Sequence, residues 1–418
     1  MITKASKRIV KPSLRLLARY QMDATNIRMA GGFPNPETFP LAELKFKLKD
    51  GTVLQVEPTT LAAGLQYGLS EGMKELTDWL LEFQRKVHDP PTLRPNHPGQ
   101  TKVILTHGAT EAMALVFTTL LDEGAWALSE AVTYPSATDM LSLVGAHFHG
   151  IKIDEDGMVV EDLVRVLDSW DTLHPGVEKP RLMYVMTSCE NPTGVLWSME
   201  RKRGVYEVAR KYDMIIVEDD PYYFLQFNRP LSPTLFSMDE DGRVVRIDTV
   251  SKIVSAGMRI GWISGPAPIL ENIILRKDNS SGFPSGIAQG ILLQLLKHWG
   301  PEGLLQQGDR AMNFYKQKAE VALKYVRKYL TGLVEWYEPS GGLFLWVRVL
   351  GVKDSKFICE KALDKKLVVV YGGYFHVFKG PSPCIRLSYA LPSEEDCEQA
   401  IKMLGEIIRE VQENKIME

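Results

Sequence analysis

Seven short runs rich in β-branched and other apolar residues recur between about positions 100 and 265, at 103–106, 126–129, 148–153, 182–186, 214–217, 244–247 and 260–264. Segments with helical spacing, such as 200–211, lie between several of them. This alternation predicts an α/β domain built on a mostly parallel, seven-stranded sheet flanked by helices. In sheets of this kind ligands collect beyond the carboxyl ends of the strands. The residues that follow each run are therefore the first candidates for a site.

After residue 286 the pattern turns helical, with Ile291, Leu292, Leu295 and Leu296 at helix spacing and a second periodic stretch at 310–330. A smaller α+β unit follows: strands at 343–349, 367–370 and 385–389, a helix near 357–366 and a last amphipathic helix at 394–411. The stretch Gly380-Pro381-Ser382-Pro383 leads straight into a strand and reads as a loop, not a domain linker.

Charge and cysteine usage exclude several classes. The chain has 418 residues with 49 Lys and Arg against 52 Asp and Glu, a net charge of -3 that gives no drive toward nucleic acid or an anionic membrane. No apolar run approaches the ~20 residues needed to span a bilayer. Cys189, Cys359, Cys384 and Cys397 show neither zinc-ligand spacing nor a disulfide framework, which points to a reducing compartment such as the cytoplasm. The first 22 residues carry Lys4, Lys7, Arg8, Lys11, Arg15 and Arg19 with no acid before Asp23. That composition suits a mitochondrial presequence. It equally suits a basic segment packed on the folded body, the reading preferred because Pro12 interrupts any presequence helix.

Four stretches carry chemistry. In Thr249-Val250-Ser251-Lys252 a lysine follows a strand end among hydroxyls, with Arg259 seven residues on: an amine beside an anion-binding set. In Ile215-Ile216-Val217-Glu218-Asp219-Asp220-Pro221-Tyr222 an apolar strand ends in acids, which could hold Mg²⁺, form a solvated turn, or set one buried carboxylate against a cationic ligand atom. Asn191-Pro192-Thr193-Gly194 is a turn that presents an amide. His107-Gly108-Ala109-Thr110 is a small-residue turn opening a helix, whose N–H groups and dipole suit a phosphate. Each alone is a common structural feature.

Their order is specific. With Tyr134 and Arg386 they resemble the fold-type I pyridoxal-phosphate (PLP) aminotransferases, and the 28 residues from Asn191 to Asp219 and 33 from Asp219 to Lys252 agree with that family. Ala30-Gly31-Gly32-Phe33-Pro34-Asn35-Pro36, Leu65-Gln66-Tyr67, the stretch 218–227 and Phe344-Leu345-Trp346 are similar to the kynurenine/α-aminoadipate aminotransferase branch. The resemblance implies a subunit with a large PLP-binding domain at 46–329 and a small domain from 1–45 and 330–418.

It implies roles as well. Lys252 would be the Schiff-base lysine and proton shuttle, Asp219 the partner of the pyridine nitrogen, and Tyr222 and Asn191 the partners of the ring oxygen. Tyr134 would stack on the ring. Gly108, Ala109, Thr110, Thr249, Ser251 and Arg259 would hold the phosphate. Tyr67 would reach the phosphate of the neighbouring subunit, making the active unit a homodimer. Arg386 would clamp the substrate α-carboxylate, and Gly32, Phe33 and Phe344 would line the side-chain pocket. Three departures from the branch, at Thr187-Ser188-Cys189-Glu190, Val132 and Ala109-Thr110, bear on substrate identity.

The activity expected is ping-pong transfer of an amino group from an aromatic, kynurenine-like or 2-aminoadipate-like amino acid to a 2-oxo acid such as 2-oxoglutarate. The alternatives are a PLP-dependent C–S lyase or decarboxylase and, more remotely, a Mg²⁺ enzyme using Glu218, Asp219 and Asp220.

Overall fold

A computed structural model of the chain describes residues 2–10, 20, 25–27, 29 and 32–413. The seven runs become β1 (Thr101–Thr106), β2 (Trp126–Glu130), β3 (His147–Ile151), β4 (Leu182–Val185), β5 (Ile215–Asp219), β6 (Val244–Thr249) and β7 (Gly261–Pro266). They form one sheet in the order β1-β7-β6-β5-β4-β2-β3. β2 is parallel to β3 and β4, and β4 to β5, whereas β7 runs antiparallel to both β6 and β1. The connection from β6 to β7 explains the reversal: it holds only two 3-10 turns, Val250–Lys252 and Ala256–Met258, with no crossover helix to carry the chain back. Every residue of β4, β6 and β7 is buried; β4 is apolar nearly throughout, whereas in β6 the buried Arg246 and Asp248 satisfy each other as an ion pair (2.9 Å).

The described residues group into two compact units, Met1–Glu123 with Phe236–Gln307 and Gly124–Leu235 with Gly308–Glu418. In the first, the helix α1 (Ala109–Leu120) buries Val116 and Phe117. The N-terminal residues dock on the same unit: Thr3 N–H donates to Thr119 O (3.0 Å) and Arg276 Nη2 to Ser6 Oγ (2.7 Å). The start of the basic segment is thus packed on the body, while Lys11, Arg15, Arg19 and the Ala30-Gly31 pair lie outside the described residues.

The second unit holds α2 (Pro135–Val144) and a separate four-stranded antiparallel sheet of β8 (Val334–Trp336), β9 (Phe344–Val349), β10 (Val370–Tyr371) and β11 (Cys384–Ser388), ordered β8-β9-β11-β10. Val326, Leu345, Val347, Ile385, Ile401 and Leu404 form its core with the helix Glu394–Glu413. One expected strand is shorter than its apolar run. The helix Lys356–Asp364 ends with Lys366 in the left-handed region (φ 65°) and with Leu367 N–H returned to Ala362 O, so the ladder begins only at Val370.

Candidate active site

Five strands hand the chain directly to candidate residues at their carboxyl ends: β1 to Gly108, β2 to Tyr134, β4 to Asn191, β5 to Asp219 and β6 to Lys252. The two units carry these residues as two sets.

The first unit builds an anion cradle. Gly108 caps α1 at φ 81°, and no side chain caps the helix, so the first N–H groups of Ala109 and Thr110 keep their donors for a ligand. Arg259 donates from Nη2 to His107 O (3.1 Å) and lies so close that a Cβ at position 108 would stand 2.7 Å from that nitrogen. Arg259 itself is left-handed (φ 53°), a conformation unfavourable for a branched side chain and common at ligand clamps. Thr249 Oγ1 accepts from Ser251 N (3.2 Å), lies 2.9 Å from Ser251 Oγ and donates to Ile260 O (3.0 Å). Thr249 therefore shapes the turn that carries Lys252, and Ser251 is the hydroxyl nearer to solvent. Gly261 admits the turn: a Cβ there would come within 2.9 Å of Gly108. In the same unit Phe33 and Tyr67 meet edge to face at 6.0 Å and both are exposed, as is Gly32.

The second unit builds a ring-and-carboxylate set. Asp219 is buried at the end of β5, and its Oδ2 accepts from Tyr184 Oη at 2.7 Å. Burial, then the Asp219 charge, pushes the Tyr184 phenol well above its ordinary value, which keeps it a donor. Burial also raises the Tyr222 phenol, a rise that the Arg386 charge opposes. Arg386 Nη1 donates to Asn191 Oδ1 (2.8 Å), and its guanidinium carbon lies 4.1 Å from the centroid of Phe344 and 4.9 Å from that of Phe375. Phe344 in turn meets Tyr222 edge to face at 5.9 Å. The Nε of Arg386 is buried with no hydrogen-bond partner among the described residues. An unsatisfied guanidinium N–H beside an occupied Nη1 is a donor left for a ligand, and a carboxylate matches it.

The acidic run at 218–220 does not converge. Glu218 accepts from Thr187 Oγ1 (2.8 Å) and Leu235 N (2.8 Å), Asp219 from Tyr184, and Asp220 from Ser188 Oγ (3.0 Å). The three carboxylates thus go to different partners, Glu218 and Asp220 to neighbouring residues of one loop and Asp219 to Tyr184. Among the described residues no group of three His, Cys, Asp or Glu side chains is arranged to hold a metal ion, so the Mg²⁺ alternative has no geometry behind it.

Those same bonds explain the unusual loop 187–190: Thr187 and Ser188 hold the flanking acids apart from Asp219. Cys189 is buried and left-handed (φ 54°), and a Cβ at Gly341 would lie 2.3 Å from its sulfur. Glu190 turns inward, accepting from Thr193 Oγ1. Burial pushes its carboxyl up to about 8; burial, then the Glu190 charge, pushes Glu130 up as well. Glu130 accepts from Trp197 Nε1 (3.1 Å). Tyr184, Glu130 and Trp197 escaped the sequence reading. The available signal was a tyrosine and a glutamate within otherwise apolar strands, where each polar atom needs a partner.

The chain is similar to known proteins over most of its length. Residues 61–404 match the model of the family described as aminotransferase class I and II. The chain is 38% identical over 392 residues to the mitochondrial kynurenine/alpha-aminoadipate aminotransferase of Mus musculus, covering 92% of each chain. Among solved structures, aminotransferase Aro8 of Candida albicans superposes with a TM-score of 0.87 at 25% identity, covering 98% of this chain and 97% of that one. Pyrococcus horikoshii kynurenine aminotransferase, solved with PMP, KYN and KYA, gives 0.78 at 26% identity, covering 98% and 97%. With its α/β sheet, its strand-end residues and these similarities, the chain belongs to the class I and II aminotransferases and is a transaminase.

Proposed function

We propose that this enzyme uses PLP to move the amino group of an aromatic, kynurenine-like or 2-aminoadipate-like amino acid to a 2-oxo acid such as 2-oxoglutarate, in ping-pong fashion. Arg386 is the observation that carries the reading: a guanidinium set between two phenyl rings, steadied by Asn191, with its Nε unsatisfied. Only a planar anion such as a carboxylate uses that geometry fully.

The residues present fit the cofactor. The uncapped start of α1, Arg259 and Ser251 suit its phosphate, since a dianion is matched by amide donors and one fixed cation. Asp219, charged and braced by Tyr184, suits a protonated ring nitrogen. Tyr222 and Asn191 are donors for the ring oxygen, and Tyr134 offers a face for stacking. When bound, PLP supplies the electron-withdrawing ring that lets the substrate's Cα–H bond ionise. With the cofactor in place, the Lys252 amine would take the proton from Cα and deliver it to the cofactor carbon C4′, which would move the amino group from substrate to cofactor. Arg386 fixes the carboxylate so that this bond is the one aligned for loss.

Gly32, Phe33 and Phe344 contribute apolar surface for the substrate side chain. The two-part subunit, 46–329 with 1–45 plus 330–418, belongs to the same proposal; β8 to β11 and the last helix furnish the smaller part. Tyr67, more than half exposed beside Phe33, is proposed to serve the phosphate of a second copy in a homodimer. No helix among the described residues is long and apolar enough to cross a membrane. The four cysteines are free thiols, in keeping with a reducing compartment, the cytosol or, as in the named mouse relative, the mitochondrion.

The test is steady-state kinetics with 2-aminoadipate or kynurenine against 2-oxoglutarate. Parallel double-reciprocal lines and one 2-oxo acid formed per amino acid consumed support the proposal. Pyruvate and ammonia released from a cysteine S-conjugate without an acceptor, or CO₂ released from either amino acid, would replace it with the lyase or decarboxylase alternative.

A further inference from the structure

The second unit contains an open cavity of about 570 Å³ whose lining includes Arg386, Tyr134, Tyr371, Tyr374, Asp139 and Lys379. Its charges are two cations and one acid. Arg386 is accounted for by a single carboxylate: Nη1 is held by Asn191, both neighbouring rings cover the guanidinium, and Nε is the donor left over. Lys379 has no place in the proposed transfer of the amino group.

The loop that carries Lys379 is anchored on both sides. Thr133 N–H donates to Phe375 O (2.9 Å) and Val377 N–H to Ala131 O (3.1 Å), which ties the loop to the chain just after β2. The ring of Phe378 meets His149 of β3 edge to face at 5.5 Å. On the other side, Tyr371 Oη donates to Gly380 O (3.3 Å) and accepts from Ser382 N (3.2 Å). The backbone of Lys379 is therefore anchored at the cavity, and its exposed four-carbon stem is long enough for the ammonium to follow a ligand there. The tyrosine rings of the lining offer apolar walls and hydroxyl edges, a surface suited to methylenes or an aromatic ring.

We propose that Lys379 receives the distal carboxylate of a dicarboxylic substrate whose α-carboxylate is held by Arg386, and that it gives this enzyme its preference for dicarboxylic amino and 2-oxo acids. This rests on the assignment of Arg386 given above. A flexible ammonium suits the role better than a second guanidinium would, because one charge on a mobile stem can follow chains of different length. Asp139 on α2, exposed and lining the same cavity, works against it by repelling the same carboxylate and attracting the lysine. The balance between Lys379 and Asp139 sets the selectivity.

The experiment compares matched pairs on the PLP-loaded enzyme: 2-aminoadipate with norleucine as donors, and 2-oxoglutarate with 2-oxopentanoate as acceptors. An exposed ion pair contributes modestly, so Lys379→Ala is expected to lower kcat/KM for both dicarboxylates about fivefold and leave the monocarboxylates within about twofold. Asp139→Asn is expected to shift the same ratios the other way, and raised salt to shrink the wild-type preference. Both residues are exposed, so neither variant threatens folding. A wild type that transaminates both members of each pair, with ratios unchanged in both variants, overturns the Lys379 assignment alone. A wild type that transaminates none of the four overturns the aminotransferase reading and this assignment with it.

Discussion

Glu190→Gln tests the buried carboxyl pair beside Asn191. In the folded chain burial raises the Glu190 carboxyl from its ordinary 4.5 to about 8. Between those values the folded protein holds a proton that the unfolded chain has released. Its stabilisation is therefore fully present below about pH 4.5 and is lost as pH rises toward 8, at up to about 1.4 kcal/mol per pH unit. Because Glu130 and Glu190 oppose each other's charge and the loop 187–195 can relax, we expect a total near ~2 kcal/mol across the window. Glutamine is neutral at every pH, and its carbonyl still accepts from Thr193. Thermal melts of the two proteins at pH 5 should coincide. At pH 8.5 the variant should melt about 2 °C higher, a small shift because the chain is long. Parallel curves of Tm against pH for wild type and variant would refute the assignment of a raised carboxyl at Glu190.

Three further substitutions probe the site. Gly108→Ala puts a Cβ 2.7 Å from Arg259 Nη2 at a φ of 81°, a strain of about 1–3 kcal/mol that should appear as a roughly tenfold or greater loss of PLP affinity in an absorbance titration. Tyr184→Phe removes the buried donor to Asp219, worth about 1.5–3 kcal/mol to a charged acceptor, so kcat should fall about tenfold or more while far-UV circular dichroism stays unchanged. Arg386→Lys keeps the charge but loses the planar fork. It should raise KM for every amino acid about tenfold and leave PLP affinity intact, and equal KM values in variant and wild type would remove Arg386 from carboxylate binding.

The candidate residues legible in the sequence are those whose placement follows from position along the chain. Gly108, Asp219 and Lys252 stand at or within three residues of the ends of strand-like runs, and a strand end in an α/β sheet is a place where ligands gather. Tyr184, Glu130 and Trp197 act across strands and loops, through a side chain that a different segment meets, and no local pattern encodes that meeting. The antiparallel β7 shows the same limit. Its composition matches that of its neighbours, and only the short connection 250–260 reveals that the chain turns back. The shortened β10 was hidden for another reason: Leu367 and Val368 look like strand, but Lys366 in the left-handed region assigns Leu367 to the end of the preceding helix. Cys189 and Glu190, which bear on substrate identity in the sequence because they adjoin Asn191, pack inward in the loop that carries it.

The central claim is that Lys252 is the amine that carries PLP. The PLP-loaded protein reduced with borohydride and digested with trypsin should yield one phosphopyridoxyl-bearing peptide, with the label on Lys252, and Lys252→Ala should yield none. Label on another lysine, or a wild type that remains colourless with added PLP, would contradict the account.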